Sequence, residues 1–445
     1  MIFRILVFLF FFSLSLHSQT ELAWSTLANP STQTSRYNDI CFVSPTTGWI
    51  SNGVGQVFKT TNGGTTWNKQ IDNSKSHFRS IVFFDSLNGW LGNVGPGEFG
   101  ATDSIPLYNT TDGGYTWTGL QTFQGIYPKG VCGMQKVNDS VIVAVGRIRG
   151  PAVFLKTTNR GKTWLAKELN NLVAGLVDVY FWTPDSGIAV GLTNVLHDSS
   201  SAVIIETTDG GNTWKINYTT SRKGEHCWKI SFPSKNVGYV ALQRNSKTPI
   251  YFLKTTDRGK TWSDKLFSST SYFVQGIGFI NDTVGWYGGS SSLSTYKTTN
   301  GGNTWSNAGF GFQVNRFRFI NDSLGFASGR TIYKLTPSSS VSVGESISEK
   351  PQFFDIEQNF PNPFNPSTTI QYNLSVRSYV QLDVYDLLGR HIKTLVDKNE
   401  TAGRYNVNFT SSEFNSGIYF YKLHARPIEN AGNDFIEIKK MLLVK

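Results

Sequence analysis

The sequence predicts an all-β protein: a seven-bladed β-propeller of tight hairpins, followed by a small antiparallel β-sandwich. Three observations carry this prediction. An octapeptide recurs six times between residues 60 and 305. A Phe standing six residues ahead of a Gly recurs with it, upstream of most copies. Beyond a polar stretch near residue 340, apolar and polar residues alternate again at period two. Composition agrees: 39% hydrophobic and 14% aromatic residues, 43 Gly and only 16% charge suit many short strands joined by turns.

Residues 1–18 read as an export signal. Arg4 supplies a positive charge, residues 5–16 form a short apolar run, and Ser18 is a small residue at which a peptidase would leave Gln19 first. The run is too short to span a bilayer, and no later stretch is long and apolar enough for a membrane helix. A transmembrane segment is therefore not expected in the mature chain.

The octapeptide stands at 60–67, 110–117, 157–164, 207–214, 255–262 and 298–305, and successive Trp residues are 50, 47, 50, 48 and 43 positions apart. A period of 40–50 residues with short strands between marks propeller blades. Within each copy an Asx residue (Asn62, Asp112, Asn159, Asp209, Asp257, Asn300) is expected to accept backbone N–H bonds two or three residues on. A Gly (Gly64, Gly114, Gly161, Gly211, Gly259, Gly302) supplies the positive φ of a tight hairpin. A Trp (Trp67, Trp117, Trp164, Trp214, Trp262, Trp305) packs against a neighbouring sheet. These are structural residues, and none has the make-up of a catalytic group. The octapeptide resembles the Asp-box, or sialidase-type, repeat, which implies that each copy links the third and fourth strands of a blade.

The Phe–Gly pairs are Phe42/Gly48, Phe83/Gly89, Phe181/Gly187, Phe232/Gly238, Phe279/Gly285 and Phe319/Gly325. The stretch 136–143 keeps the turn without them, so seven blades begin although only six boxes follow. The last blade ends one strand short, and Trp24 precedes Trp67 by 43 positions. Residues around Trp24 are expected to supply the missing strand and close the ring across residues 19–336.

Residues 337–352 are polar and small and read as a flexible linker. Alternation at 370–374, 380–385, 405–409, 418–423 and 435–444 predicts the sandwich of 353–445. Its stretches PNPFNPSTTI (361–370), VYDLLGR (384–390), AGRYNV (402–407), SGIYFYKL (416–423) and KKMLLVK (439–445) resemble the type A sorting domain of type IX secretion substrates. The resemblance implies Sec export, then delivery to the cell surface or the outside by the type IX secretion machinery, a partner of this tail.

Three Cys with unrelated spacing make neither a disulfide framework nor a metal site, and no cofactor motif is present. A sialidase would need an arginine triad and a Tyr–Glu pair; GRIRGP at 146–151 is the nearest text and sits in the wrong blade. No catalytic constellation is recognised. Glycosidase carboxylates come from distant loops, so an Asp-box hydrolase drawing on Asp178, Glu98 or Glu225 stays open. The unit F-x5-G-W followed by KTTDGGxTW also resembles the photosystem II stability and assembly factor family, single propellers that act as binding scaffolds. That implies a third reading, an assembly factor for an envelope protein complex.

Net charge is +10, and residues 19–336 hold 29 Lys and Arg against 19 Asp and Glu. If the boxes occupy one face, the long loops 92–107, 146–152, 192–202 and 243–249 fall on the other. With them go Arg79, Lys129, Arg147, Arg149, Arg222, Lys223, His226, Arg244 and Arg316, read as a basic loop face for a protein or glycan ligand. No nucleic-acid-binding motif surrounds these residues, so nucleic acid is not the expected partner. The expected function is a secreted, non-enzymatic binding or adhesion scaffold.

Overall fold

The computed structural model describes residues 21–444 apart from 32–34, 246, 291–292, 339–353, 357–358, 360–361, 412 and 429–433. The expected export signal at 1–18, and the linker from 339 onward, lie outside the described residues. The chain divides into two compact units, Met1–Ser339 and Ser340–Lys445.

Among the described residues, the first unit is built from seven antiparallel sheets whose strands largely follow one another in sequence. Sheet 1 spans residues 37–72, sheet 2 78–119, sheet 3 124–168, sheet 4 175–219, sheet 5 226–268 and sheet 6 274–312. Sheet 7 takes Arg316–Phe319, Gly325–Ser328 and Ile332–Pro337, and its outer strand comes from the other end of the unit. Leu22–Thr26 pairs antiparallel with Ile332–Pro337, with Trp24 opposite Leu335. The expected ring-closing strand is thus in place, and it covers an edge that would otherwise present unpaired backbone. Sheet 3 differs by an additional outer pair, Gln124–Gly125, which runs parallel to Leu165–Glu168.

The octapeptides join third to fourth strands in sheets 1 to 6. Their hydrogen bonding corrects the sequence expectation. The Asx carboxyl or amide oxygen accepts the N–H four residues on, as Thr66 donates to Asn62 at 2.9 Å and Thr213 to Asp209 at 2.8 Å. The nearer donor goes to a hydroxyl: Gly64 N–H donates to Thr60 Oγ1 at 2.9 Å, and Thr60 in turn donates to Asn62. The first Thr of the box, not its Asx residue, therefore caps the glycine. Gly211 has φ +94°, and a Cβ there would lie 2.1 Å from the Phe154 ring, so the position is closed to side chains on two counts.

The Phe–Gly spacing has a direct cause. Phe42 lies opposite Gly48 across the first hairpin of its sheet, and a Cβ on Gly48 would meet the Phe42 ring at 2.6 Å. The ring lies over the glycine, and the same pairing joins Phe83 to Gly89 and Phe279 to Gly285. Each such Phe also contacts the preceding sheet. Trp49 of sheet 1 stacks on Phe83 at 3.5 Å, Tyr239 of sheet 5 on Phe279 at 3.5 Å, and Phe326 of sheet 7 on Phe42 at 3.6 Å. The box Trp meets the Phe edge-on, as Trp67 does Phe42. One aromatic ladder thus ties each sheet to the next, and sheet 7 to sheet 1.

The second unit is a pair of antiparallel sheets. One orders Asp355–Ile356, Ser367–Leu374 and Gly403–Thr410, and the other His391–Glu400, Ser378–Asp386, Gly417–Pro427 and Phe435–Leu443. Ile370, Tyr372, Leu382, Val384, Tyr421, Leu423 and Met441 are among the core residues. The strand His391–Glu400 is absent from the sequence expectation. It forms an edge in which Val396 and Glu400 are the buried positions, so its alternation carries little signal.

Candidate functional site

The innermost strands of five sheets carry a bulge near their first residues: Tyr37/Asp39, Phe78/Ser80, Leu176/Asp178, Cys227/Ile230 and Val274/Gly276. A bulge breaks alternation and re-aims side chains off the pleat. Polar residues buried at these positions include Asn38, Asp39, Arg79, Asp178, Lys229 and Gln275, joined from sheet 7 by Asn315 and Arg316.

Arg316 ties this cluster together. It donates to Asp178 at 2.8 and 3.1 Å, and its Nε lies 3.3 Å from Asp39. Arg318 reaches Asp39 at 3.2 Å. The carboxylates also accept backbone bonds, Asp178 from Ile230 at 3.1 Å and Asp39 from Ile81 at 3.2 Å. Burial by itself would raise the Asp178 carboxyl, but Arg316 and Lys229 outweigh it and hold it at about 2. Asp178 is therefore a permanent anion facing arginine, and a general acid needs the opposite shift. Glu225 is likewise engaged, by Arg222 at 2.9 Å and Arg244 at 3.4 Å, and Glu98 lies 3.8 Å from Arg149. Among the described residues no group of three or more His, Cys, Asp or Glu is placed to hold a metal ion.

Above this cluster opens a cavity of about 320 Å³. All four long loops contribute to it: Phe99 from 92–107, Arg149 from 146–152, His197 from 192–202 and Asn245 from 243–249. Arg36, His226 and Trp228 complete its polar and aromatic wall. Phe99 (φ 49°) and Asn245 (φ 52°) hold left-handed backbone, a strain retained where loop shape matters. His197 and His226 face each other at 2.9 Å between Nδ1 atoms, and His226 meets Gln243 at 2.7 Å. Burial, then the neighbouring His197, pushes the His226 imidazole down to about 3, so it is neutral. His77 is also pushed to about 3, by burial and by Arg79 and Arg36.

The nine basic residues read from the sequence separate on this structure. Lys129, Arg149 and Lys223 are exposed, and Arg147 and Arg222 are half-buried. Arg79, His226, Arg244 and Arg316 are buried, which corrects their reading as surface loop charges. Arg79, His226 and Arg316 lie in innermost strands, and the ring turns those strands toward its axis. Arg244 is turned inward to the Pro249 carbonyl at 2.8 Å and to Glu225. Arg222 is bound by Asp264 at 2.8 Å and by Glu225, and it lies 4.2 Å from the Tyr251 ring. Of the nine, Arg149 and His226 line the cavity. Asp39, Lys229, Trp228 and Arg36 were not singled out; each reads locally as an ordinary residue at or near the start of a strand.

Residues 358–431 match the secretion system C-terminal sorting domain family. That domain marks the chain for type IX secretion, to the cell surface or beyond it. The chain has relatives of another kind as well. Photosystem II assembly lipoprotein Ycf48 of Synechococcus sp. (strain CC9902) is 25% identical over 304 residues, covering 64% of this chain and 79% of the relative. The solved structure of YCF48 bound to D1 peptide matches with a TM-score of 0.52 at 18% identity, over 72% of this chain and 96% of that one. The GH74 xyloglucanase of Xanthomonas campestris matches with a TM-score of 0.51 at 11% identity, over 94% of this chain and 68% of that one. The last two likenesses establish the propeller fold. No helix among the described residues is long and apolar enough to cross a membrane.

Proposed function

We propose that the chain is an extracellular binding scaffold. A seven-bladed ring of residues 19–336 is carried outward by the sorting domain of 353–445 and joined to it by the linker 337–352. The ring receives an acidic protein segment at the cavity on its loop side. The convergence of all four long loops on one cavity, with Arg149 and Arg36 beside Phe99 and Trp228, carries this reading. Cationic guanidinium groups set among aromatic rings suit acidic, partly apolar polypeptide. The solved YCF48 complex with D1 peptide, on the same fold, supports a peptide as the ligand class. The engagement of Asp178 and Glu225 with arginine supports binding over hydrolysis.

The test is capture of cell-surface proteins and glycans by the full chain, repeated after Arg149→Ala and Arg36→Ala. Partners lost from both variants support the cavity; partners retained by both reject it. Release of reducing sugar from a polysaccharide panel would instead favour the hydrolase reading.

A further inference from the structure

Arg79 is fully buried, and none of its three guanidinium nitrogens has a hydrogen-bond partner among the described residues. Its guanidinium carbon lies 5.0 Å from the Trp228 ring and 5.4 Å from the Phe99 ring. Those rings attract the cation but leave its N–H donors unused. Lys229, from the bulge of sheet 5, is also buried; its Nζ has no hydrogen-bond partner among the described residues, and burial, then Arg316, pushes its pKa well below the usual lysine range. Unused buried N–H donors of this kind are rare, because each such group loses its hydration without compensation.

The surrounding acids do not supply the missing partner. Asp178 is taken by Arg316 and the Ile230 N–H, and Asp39 by Arg316, Arg318 and the Ile81 N–H; Glu98 lies 3.8 Å from Arg149, and its Oε2 makes no hydrogen bond to Arg79 or to any other described residue. Five basic side chains (Arg79, Arg149, Arg316, Arg318 and Lys229) thus share three carboxylates. Phe99 and Trp228, the rings beside Arg79, also line the loop-side cavity, so the unpaired guanidinium lies behind the wall of an open approach.

We propose that the ring binds one small monovalent anion, a halide or a short carboxylate, on the Arg79 guanidinium with Lys229 as the second donor. The site lies below the surface on which the protein ligand is placed, and it does not depend on that reading. An anion there accepts N–H bonds that no described residue accepts, and it offsets the excess of positive charge. It gives the ring a stability that depends on the identity of the salt as well as on ionic strength.

The experiment is thermal melting of the full chain, followed by tryptophan fluorescence, in sodium chloride, formate or gluconate at one ionic strength. Gluconate, the bulkiest of the three anions, serves as the screening control. Chloride or formate is expected to raise the melting temperature by about 2–4 °C over gluconate. The larger of the two gains identifies halide or carboxylate as the natural class. Arg79→Met is expected to abolish the difference while melting no lower than the wild type in gluconate, since it removes an unpaired charge. Lys229→Met is expected to reduce the difference, and it serves if Arg79→Met fails to fold. Equal melting in all three salts, or a full anion response in either variant, would overturn the proposal. So would bromide-soaked crystals with no anomalous peak at hydrogen-bonding distance from Arg79.

Discussion

Replacing Arg316 by Met removes the cation that two buried carboxylates share. Met fits roughly the same volume, so the change is mainly electrostatic. Asp39 keeps Arg318 at 3.2 Å and the Ile81 N–H, but Asp178 loses both of its guanidinium bonds, at 2.8 and 3.1 Å, and keeps the Ile230 N–H and the field of Lys229, which makes it no hydrogen bond. Stranding a buried charge in this way costs about 3–5 kcal/mol, whereas removing both members of a buried pair is often nearly neutral. The companion variant therefore carries Arg316→Met together with Asp178→Leu, and it should recover most of the loss. All twelve tryptophans lie between residues 24 and 305, so fluorescence follows the first unit without interference from the second. At about 2–4 °C per kcal/mol, the single variant should melt about 6–20 °C lower than the wild type. The double variant should lie much closer to it, giving a strong coupling in the double-mutant cycle. If the single variant melts with the wild type, or the double variant melts lower than the single, the Arg316–Asp178 pair does not organise the axis as argued.

Two further outcomes follow from the same geometry. His226 is neutral in the fold, titrating at about 3 against about 6.5 in the unfolded chain, so between those values the unfolded state binds the extra proton. Its contribution is complete above about pH 6.5 and is lost as pH falls toward 3. The loss is of order 4–5 kcal/mol at most, so His226→Gln should flatten the fall of melting temperature across that window; an unchanged slope would assign the acid sensitivity elsewhere. Trp24→Ala removes a half-buried ring that stacks on Phe310 at 5.0 Å and meets Trp286 edge-on at 5.4 Å. The cost should be about 3 kcal/mol, read as a lower melting point by the remaining tryptophans; no change would show that the N-terminal strand is dispensable.

Much of the architecture is legible along the chain because its causes are local. The octapeptide folds its own hairpin through Thr60, Asn62 and Gly64 and their equivalents, all within five residues. The Phe–Gly spacing is one hairpin wide, which is why Phe42 and Gly48 are neighbours both in sequence and in register. Even the long-range pairing of Trp24 with Leu335 is readable, since a repeat short of one strand needs an outside donor. The tail is readable through its motifs, except at His391–Glu400, an edge strand that buries too few side chains to alternate.

The axis was decided by tertiary structure alone. Asp39, Arg79, Asp178, Lys229 and Arg316 come from five different sheets and lie up to 277 positions apart in the sequence. Each looks locally like a single polar residue near the start of a strand, and a surface reading of Arg79 and Arg316 was natural on that basis. Two things turn them inward. Bulges displace Asp39, Arg79, Asp178 and Lys229 from the pleat, and closure of the ring brings the innermost strands, including the unbulged one that carries Arg316, around one line. Burial, pairing and the unmatched charge of Arg79 and Lys229 arise only then, because they depend on which charges meet. The order of residues along the chain does not contain that information.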